Sequence, residues 1–423
     1  MKLIVNNRRI STLVSLILSL GFIFLGLTSA FAQPATASKT NTSADPTNQT
    51  SSENIMDGVN AQRTGAYQTK GVHQLNSVLW KYENLFPKMS YSGGMMSTRK
   101  SASVLIDFNF SEPVIAHGLI YFKLSIGNSF LIALDAGTGK GVWKFEIEKG
   151  EISSPAVAGG MVFLGTDRGN FHALDARTGQ EKWKFSDKDG YYAYFPPVID
   201  GGTVYFGSPK GNLFAVDPNT GQTKWSFKTK GSLTASAVAN DTIYVGGEKG
   251  VLFALDTKTG QEKWNFKAKG ELGMPVFANG VVYFRTMEGN LYAVDANTGQ
   301  QKWSTRLGKK IQTYFPITTV NVGAPLAFAD GVIYFVDDSS LYAVDAERGE
   351  QKWKFDTKIL CRSPIIADGT VYVGCMGDLY GVNAKGGHQE LKIENKNVVF
   401  SSPAVADGAI YFVSDDGNFY AMR

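Results

Sequence analysis

From Leu252 to Phe266 the chain reads LFALDTKTGQEKWNF. Apolar and polar positions alternate with a period of two in LFALD and again in KWNF, which predicts two strands that each bury one face. The TKTG between them predicts a turn. Asp256 can accept from the backbone N–H groups two and three residues on, and Gly260 can take the positive φ that closes a hairpin. Trp264 follows with more apolar surface than any other side chain and one N–H that needs an acceptor. A single hairpin cannot bury an indole, so the pattern predicts a neighbour built the same way.

That neighbour is repeated along the chain. The tryptophan recurs at Trp143, Trp183, Trp225, Trp264, Trp303 and Trp353, with Leu391 at the next position. In phase with it run Asp135, Asp175, Asp217, Asp256, Asp295 and Asp345, then Asn383, and the turn glycines Gly139, Gly179, Gly221, Gly260, Gly299, Gly349 and Gly387. Upstream of each hairpin lies a second pair of strand signals, such as SSPAVA (Ser153 to Ala158) and MVFLG (Met161 to Gly165). Each unit of about forty residues therefore holds four short antiparallel strands, A to D, the size of a β-propeller blade. After Leu391 the chain supplies strands A, B and C only. The missing strand D is predicted at the front, in LWKYE (Leu79 to Glu83), which carries the seventh tryptophan, Trp80. The expected fold is all-β, an eight-bladed propeller spanning 79–423, its ring closed by an N-terminal strand that completes the last blade and hides two open edges.

The Ala-x-Asp-x-x-Thr-Gly-x-x-x-Trp pattern resembles the tryptophan-docking motif of PQQ-type, quinoprotein-like β-propeller repeats. The resemblance implies one of two roles: a quinoprotein dehydrogenase, or a BamB-like scaffold of outer-membrane barrel assembly. The motif is structural in both and does not choose between them. Blade seven departs most, with Asn383, Gly386 and Leu391 in place of Asp, Thr and Trp, and its docking is expected to be the weakest.

Ahead of the propeller, Lys2, Arg8 and Arg9 precede an apolar run from Leu13 to Leu27 and then Ala30-Phe31-Ala32. Residues 1–32 read as a secretory signal peptide cut before Gln33, with an uncleaved anchor as the alternative. Cleavage leaves no integral membrane span and no cysteine at the new terminus for the lipid anchor typical of the BamB-like group. Residues 33–60, rich in Thr, Ser, Ala, Asn and Gln, are expected to be a disordered tether, and 61–78 an extension along the propeller surface. The product is expected to be exported, periplasmic or extracellular, and monomeric. Removing 1–32 takes three basic residues and no acidic ones, so the formal charge falls from +4 to +1. That balance, without any basic run, argues against nucleic acid.

Two connections are longer than the rest. The link from Asn84 to Phe110 contains Arg99 and Lys100, and the link from Arg306 to Gly323 contains Lys309, Lys310, Tyr314 and Phe315. A third stretch, Tyr191-Tyr192-Ala193-Tyr194-Phe195-Pro196, enters blade three. All three fall on the face that carries D–A and B–C loops, and long loops on a rigid scaffold are where binding specificity resides. Tyr191, Tyr192, Tyr194, Phe195, Tyr314 and Phe315 have the composition of anchors for a protein or peptide partner, with Arg99, Lys100, Lys309 and Lys310 as a basic rim. The alternative is packing of these loops over the central channel.

Candidate chemistry is sparse. Cys361 and Cys375 would both lie at the same face of blade seven; a disulfide and two separate core thiols are both consistent with that. The dehydrogenase resemblance implies PQQ with calcium, a disulfide between adjacent cysteines and a tryptophan floor under the quinone. No adjacent cysteines occur here, and all seven tryptophans fall at docking positions. Asp337-Asp338 and Asp415-Asp416 are acidic pairs on the loop-bearing face, the second of them reading as an ordinary turn. Four histidines show no ligand spacing. The sequence thus favours a non-catalytic scaffold without a cofactor, with a PQQ-dependent oxidoreductase as the alternative.

Overall fold

Each copy of the repeat forms one antiparallel sheet whose four strands follow chain order. In blade four they are Leu233–Ala239, Thr242–Gly247, Val251–Asp256 and Glu262–Lys267. Strand B has neighbours on both faces, so TIYVGG is buried throughout; strand D, at the outer edge, buries alternate residues of EKWNFK. The computed structural model describes residues 55–56, 60, 66–67, 69–73, 77–83, 85, 109–126, 128–148, 150–187, 196–208, 210–308, 325–337, 339–375, 377–394, 401–414 and 417–423. Among these, eight such sheets stand in a ring, with A strands adjoining one another from blade to blade. Blades one to seven span 114–147, 156–186, 198–228, 233–267, 276–306, 327–356 and 365–394. The fold is an all-β, eight-bladed propeller.

The hairpin turn forms as its residues dictate. Asp256 Oδ1 accepts from the N–H groups of Lys258 (3.0 Å) and Thr259 (2.9 Å) and from the Thr259 hydroxyl (3.0 Å). Gly260 sits at φ +70°, its N–H bonded to the Asp256 carbonyl. Asn383 does the same work in blade seven, accepting from Lys385 and Gly386, because the turn needs a side-chain carbonyl oxygen and no charge. The alternation does not reveal a β-bulge just before each tryptophan: Ala254 faces Trp264 while the next residue, Leu255, faces Glu262, so Lys263 is the extra residue. The bulge curls this lysine back toward the turn, where its ammonium lies 3.4 Å from Asp256; Lys182, Lys302 and Lys352 reach Asp175, Asp295 and Asp345 in the same way.

Blades are joined by two hydroxyl or indole donors on one carbonyl. Trp264 Nε1 (3.0 Å) and Tyr244 Oη (3.4 Å) both donate to the carbonyl of Ala296, the residue after the motif aspartate of the next blade. The pairs Trp143 with Tyr121, Trp225 with Tyr205, Trp303 with Tyr283 and Trp353 with Tyr334 converge in turn on Ala176, Thr257, Ala346 and Ala384. A carbonyl oxygen has two lone pairs, so both bonds can form at once. Burial raises the phenol pKa of Tyr205, Tyr283 and Tyr334 to about 12, which keeps them donors. Of the docking tryptophans only Trp143 is fully buried; the others keep an exposed edge, since the outer rim of a blade has no layer beyond it. The apolar core accordingly lies between blades, as where Phe171 stacks on Phe206 with ring centroids 3.9 Å apart.

Closure follows the expected composite. Val78–Tyr82 pairs antiparallel with Asn418–Met422, completing blade eight, whose strands A and B are Ala404–Ala406 and Ala409–Ser414. Trp80 then donates to Ala136 of blade one at 2.9 Å. Upstream of this strand, two short segments pair with inner strands of the ring. Ile55–Met56 adds antiparallel to Ala156–Val157, the inner strand of blade two, and Ala66–Tyr67 adds parallel to Ile366–Ala367, the inner strand of blade seven. The inner edge of a blade presents unpaired backbone groups, and the chain's own N-terminal part satisfies them at two places.

Candidate functional site

The loop-bearing face is built on fixed stems. Leu85, where the first long connection starts, donates its N–H to the carbonyl of Gly417 in the B–C turn of blade eight. That connection returns at Asn109–Phe110, paired with Leu124–Ser125 of blade one. The insertion before blade six departs at Gly308, at φ +108°, where a Cβ would fall 2.4 Å from the Asp337 carboxylate. Arg99, Lys100, Tyr191, Tyr192, Tyr194, Phe195, Lys309, Lys310, Tyr314 and Phe315 lie outside the described residues, as do Asp338, Asp415 and Asp416.

The described part of this face holds two ion pairs that the sequence did not announce, one buried and one partly exposed. The fifth residue of strand B is glycine in blades two, three, four and seven (Gly165, Gly207, Gly246 and Gly374) but Lys123 in blade one and Arg285 in blade five. Arg285 reaches into blade six, donating to the Val336 carbonyl at 2.8 Å and to Asp337 Oδ1 at 2.6 Å, with its guanidinium 4.4 Å over the Phe335 ring. Both partners are under a tenth exposed, 8% and 7%. Lys123 lies 3.3 Å from Glu151, which also accepts from Ser125 at 3.0 Å. Burial pushes the Lys123 ammonium below its ordinary pKa, and Glu151 opposes the shift. Asp337, from the first of the two acidic pairs, is the counter-ion of Arg285.

Cys361 and Cys375 form a disulfide across the two strands that open blade seven. Ile152 faces Thr166, and Leu272 faces Thr286, at the matching position of blades two and five, so the bond replaces an ordinary cross-strand contact. Arg362, next to Cys361, is lowered from its ordinary pKa by burial, against the attraction of Glu112.

The described groups of this face brace one another and do not assemble a catalytic set. Among the described residues no cluster of three His, Cys, Asp or Glu side chains could hold a metal ion. His172 is buried and paired with Glu181 at 2.6 Å, on the outer part of blade two. Among the described residues, the parts that the dehydrogenase resemblance implies for holding a quinone are not brought together. All seven indole N–H groups are bonded to backbone carbonyls of the following blade, and the two cysteines are fourteen residues apart rather than adjacent.

Eight four-stranded blades, tryptophan docking and closure by an N-terminal strand define a PQQ-like β-propeller. The family model described as outer membrane protein assembly factor BamB matches residues 113–232, 215–323 and 269–423, and the chain belongs to this family. The fold is shared with BamB from Moraxella catarrhalis, at 20% identity over 77% of this chain and 97% of that one, with a TM-score of 0.57. It is shared too with the quinohemoprotein alcohol dehydrogenase ADHIIG from Pseudomonas putida HK5, at 14% identity over 87% of this chain and 80% of that one, with a TM-score of 0.68. A computationally designed protein, Ika8, matches at 14% identity over 74% of this chain and 95% of its own, with a TM-score of 0.61. A search of curated proteins gives no match. Among the described residues, no helix is long and apolar enough to cross a membrane.

Proposed function

We propose that this protein is an exported, non-catalytic scaffold of the cell envelope that holds a polypeptide partner on its loop-bearing face, in the manner implied by its BamB-like family. One observation carries the reading: every indole of the chain is committed to interblade docking, so none remains to floor a quinone. The braced stems add to it, because a rigid base lowers the entropic cost of presenting aromatic loops. Tyr194, Phe195, Tyr314 and Phe315 are the anchors in this reading, and Arg99, Lys100, Lys309 and Lys310 the rim.

The test places a photo-crosslinking residue at position 315 in the full chain, with position 258 as a control on the opposite, turn-bearing side. A specific polypeptide adduct at 315 and none at 258 is expected, and Phe315→Ala should speed dissociation of that partner while Lys309→Glu slows its capture at low salt. In parallel, purified protein is titrated with PQQ and calcium. Stoichiometric quinone binding with oxidation of an alcohol would overturn the scaffold reading in favour of a PQQ-dependent oxidoreductase.

A further inference from the structure

The seam between blades seven and eight lacks the parts that join the other blades. Strand D of blade seven has Leu391 at the tryptophan position, so no indole N–H crosses the seam. In blade eight, strands C and D are Asn418–Met422 and Val78–Tyr82, contributed by distant parts of the chain, so no C–D turn stands there to offer a carbonyl and a glycine. Tyr372 is the blade-seven counterpart of Tyr244 and Tyr334. Its hydroxyl has turned instead to the N-terminal segment, donating to the Val72 carbonyl at 3.0 Å and accepting from the Val72 N–H at 2.5 Å.

The residues around Val72 are shaped for this place. Val72 is 3% exposed and belongs to the apolar cluster that spans the seam with Tyr372, Leu391, Val405 and Ile410. A Cβ on Gly71 would fall 2.8 Å from the Tyr372 hydroxyl and 2.9 Å from the Ala367 carbonyl, so only glycine lets the segment approach. On the blade-seven side His73 lies 3.4 Å from Asp368 and 3.1 Å from the Thr370 hydroxyl. On the blade-eight side the Thr69 hydroxyl accepts from the Asp407 N–H at 2.9 Å. The segment therefore grips the A–B turns of both blades.

We propose that residues 69–73 are a detachable strap that substitutes for the missing docking hairpin, and that the ring opens first at the seam between blades seven and eight when the strap leaves. At five other seams the tyrosine and the tryptophan back each other up on one carbonyl; at this seam the tyrosine works without an indole.

The test is hydrogen–deuterium exchange on the full-length protein carrying Tyr372→Phe, with Tyr334→Phe as its counterpart at the neighbouring seam. Phe163 holds the same position in blade two, so the fold accommodates phenylalanine there. Tyr372→Phe should speed exchange in 69–73, 365–374 and 404–413 by about fivefold or more, the equivalent of one lost hydrogen bond, with 203–207 and 242–247 unchanged. Tyr334→Phe should change the six–seven seam far less, because Trp353 still holds Ala384. Gly71→Val should reproduce the local opening without touching blade seven itself. Equal effects at the two seams, no effect of Tyr372→Phe, or a loss of protection spread evenly round the ring would each overturn the proposal.

Discussion

The indole of Trp264 lies against Gly299 of the following blade, so close that a Cβ on the glycine would fall 2.8 Å from the ring. Gly299 is also at φ +70°, so one residue supplies both the turn and the flat surface on which the ring rests. Trp264→Ala should cost about 2–4 kcal/mol, less than a fully buried tryptophan because one edge is exposed. Gly299→Ala should cost about 2 kcal/mol or more through strain and displacement of the ring. Because both changes break one contact, chemical denaturation of the double variant should show a loss smaller than the sum. Strict additivity would mean that ring and glycine do not depend on each other.

Asp337→Ala should destabilise the protein by about 3–5 kcal/mol, since it leaves the Arg285 guanidinium buried without a counter-ion. Replacing both partners, as Arg285→Met with Asp337→Val, should recover most of that loss. The comparison is made by thermal and denaturant unfolding. A double variant as unstable as the single one would show that the pair contributes more than charge neutralisation.

His172 supplies a pH dependence with a definite sign. Burial lowers its pKa below the ordinary 6.5, with Glu181 acting in the opposite direction. As pH falls through that ordinary value, the unfolded chain takes up a proton that the folded imidazole resists. Stability present above that value is therefore lost progressively toward the lower folded pKa. Denaturant curves at about pH 7.5 and about pH 5.5 should show a larger loss for the native sequence than for His172→Phe, which copies Phe214 at the same position of blade three. Equal losses would assign the acid sensitivity to other groups.

Truncation separates closure from what lies upstream. A chain starting at residue 55 keeps both added inner strands, the strap and Trp80, and should melt as the full chain does. A chain starting at residue 84 exposes the edge of Asn418–Met422 and removes the indole from Ala136, and it should aggregate or unfold. Light scattering during a thermal ramp distinguishes them; identical behaviour would contradict the composite blade.

The propeller was legible because its information is local and repeated. Asp256, Gly260 and Trp264 declare turn, hairpin and docking within nine residues, and the copies confirm the phase. What escaped was whatever depends on a residue in another blade. Lys123 and Arg285 differ from the glycines at their position, a visible departure, yet nothing in the sequence names Glu151 and Asp337 as their partners. The bulge at Lys263 escaped because a single extra residue leaves the alternation on either side intact. Val72 was invisible for a stronger reason: its partner, Tyr372, is three hundred residues away, and the segment around it has too few apolar residues to show a period. The aromatic loops could be read as binding surface by composition alone, which fixes their chemistry and not their shape.

Pairing between Trp80 and Ala421 sets a timetable for the molecule. Strand 78–82 is synthesised more than three hundred residues before the strand it must join, a delay on the order of tens of seconds at ordinary elongation rates. Throughout that interval the growing protein is an open arc with an unsatisfied strand at its leading end, while each new blade docks on the one before it. Ring formation must therefore wait until 418–422 has been made. Its last step joins segments at the greatest sequence separation in the propeller, the kind of contact that slows folding most. Any factor that shields 78–82 during this wait would raise the yield of closed rings without altering their final stability.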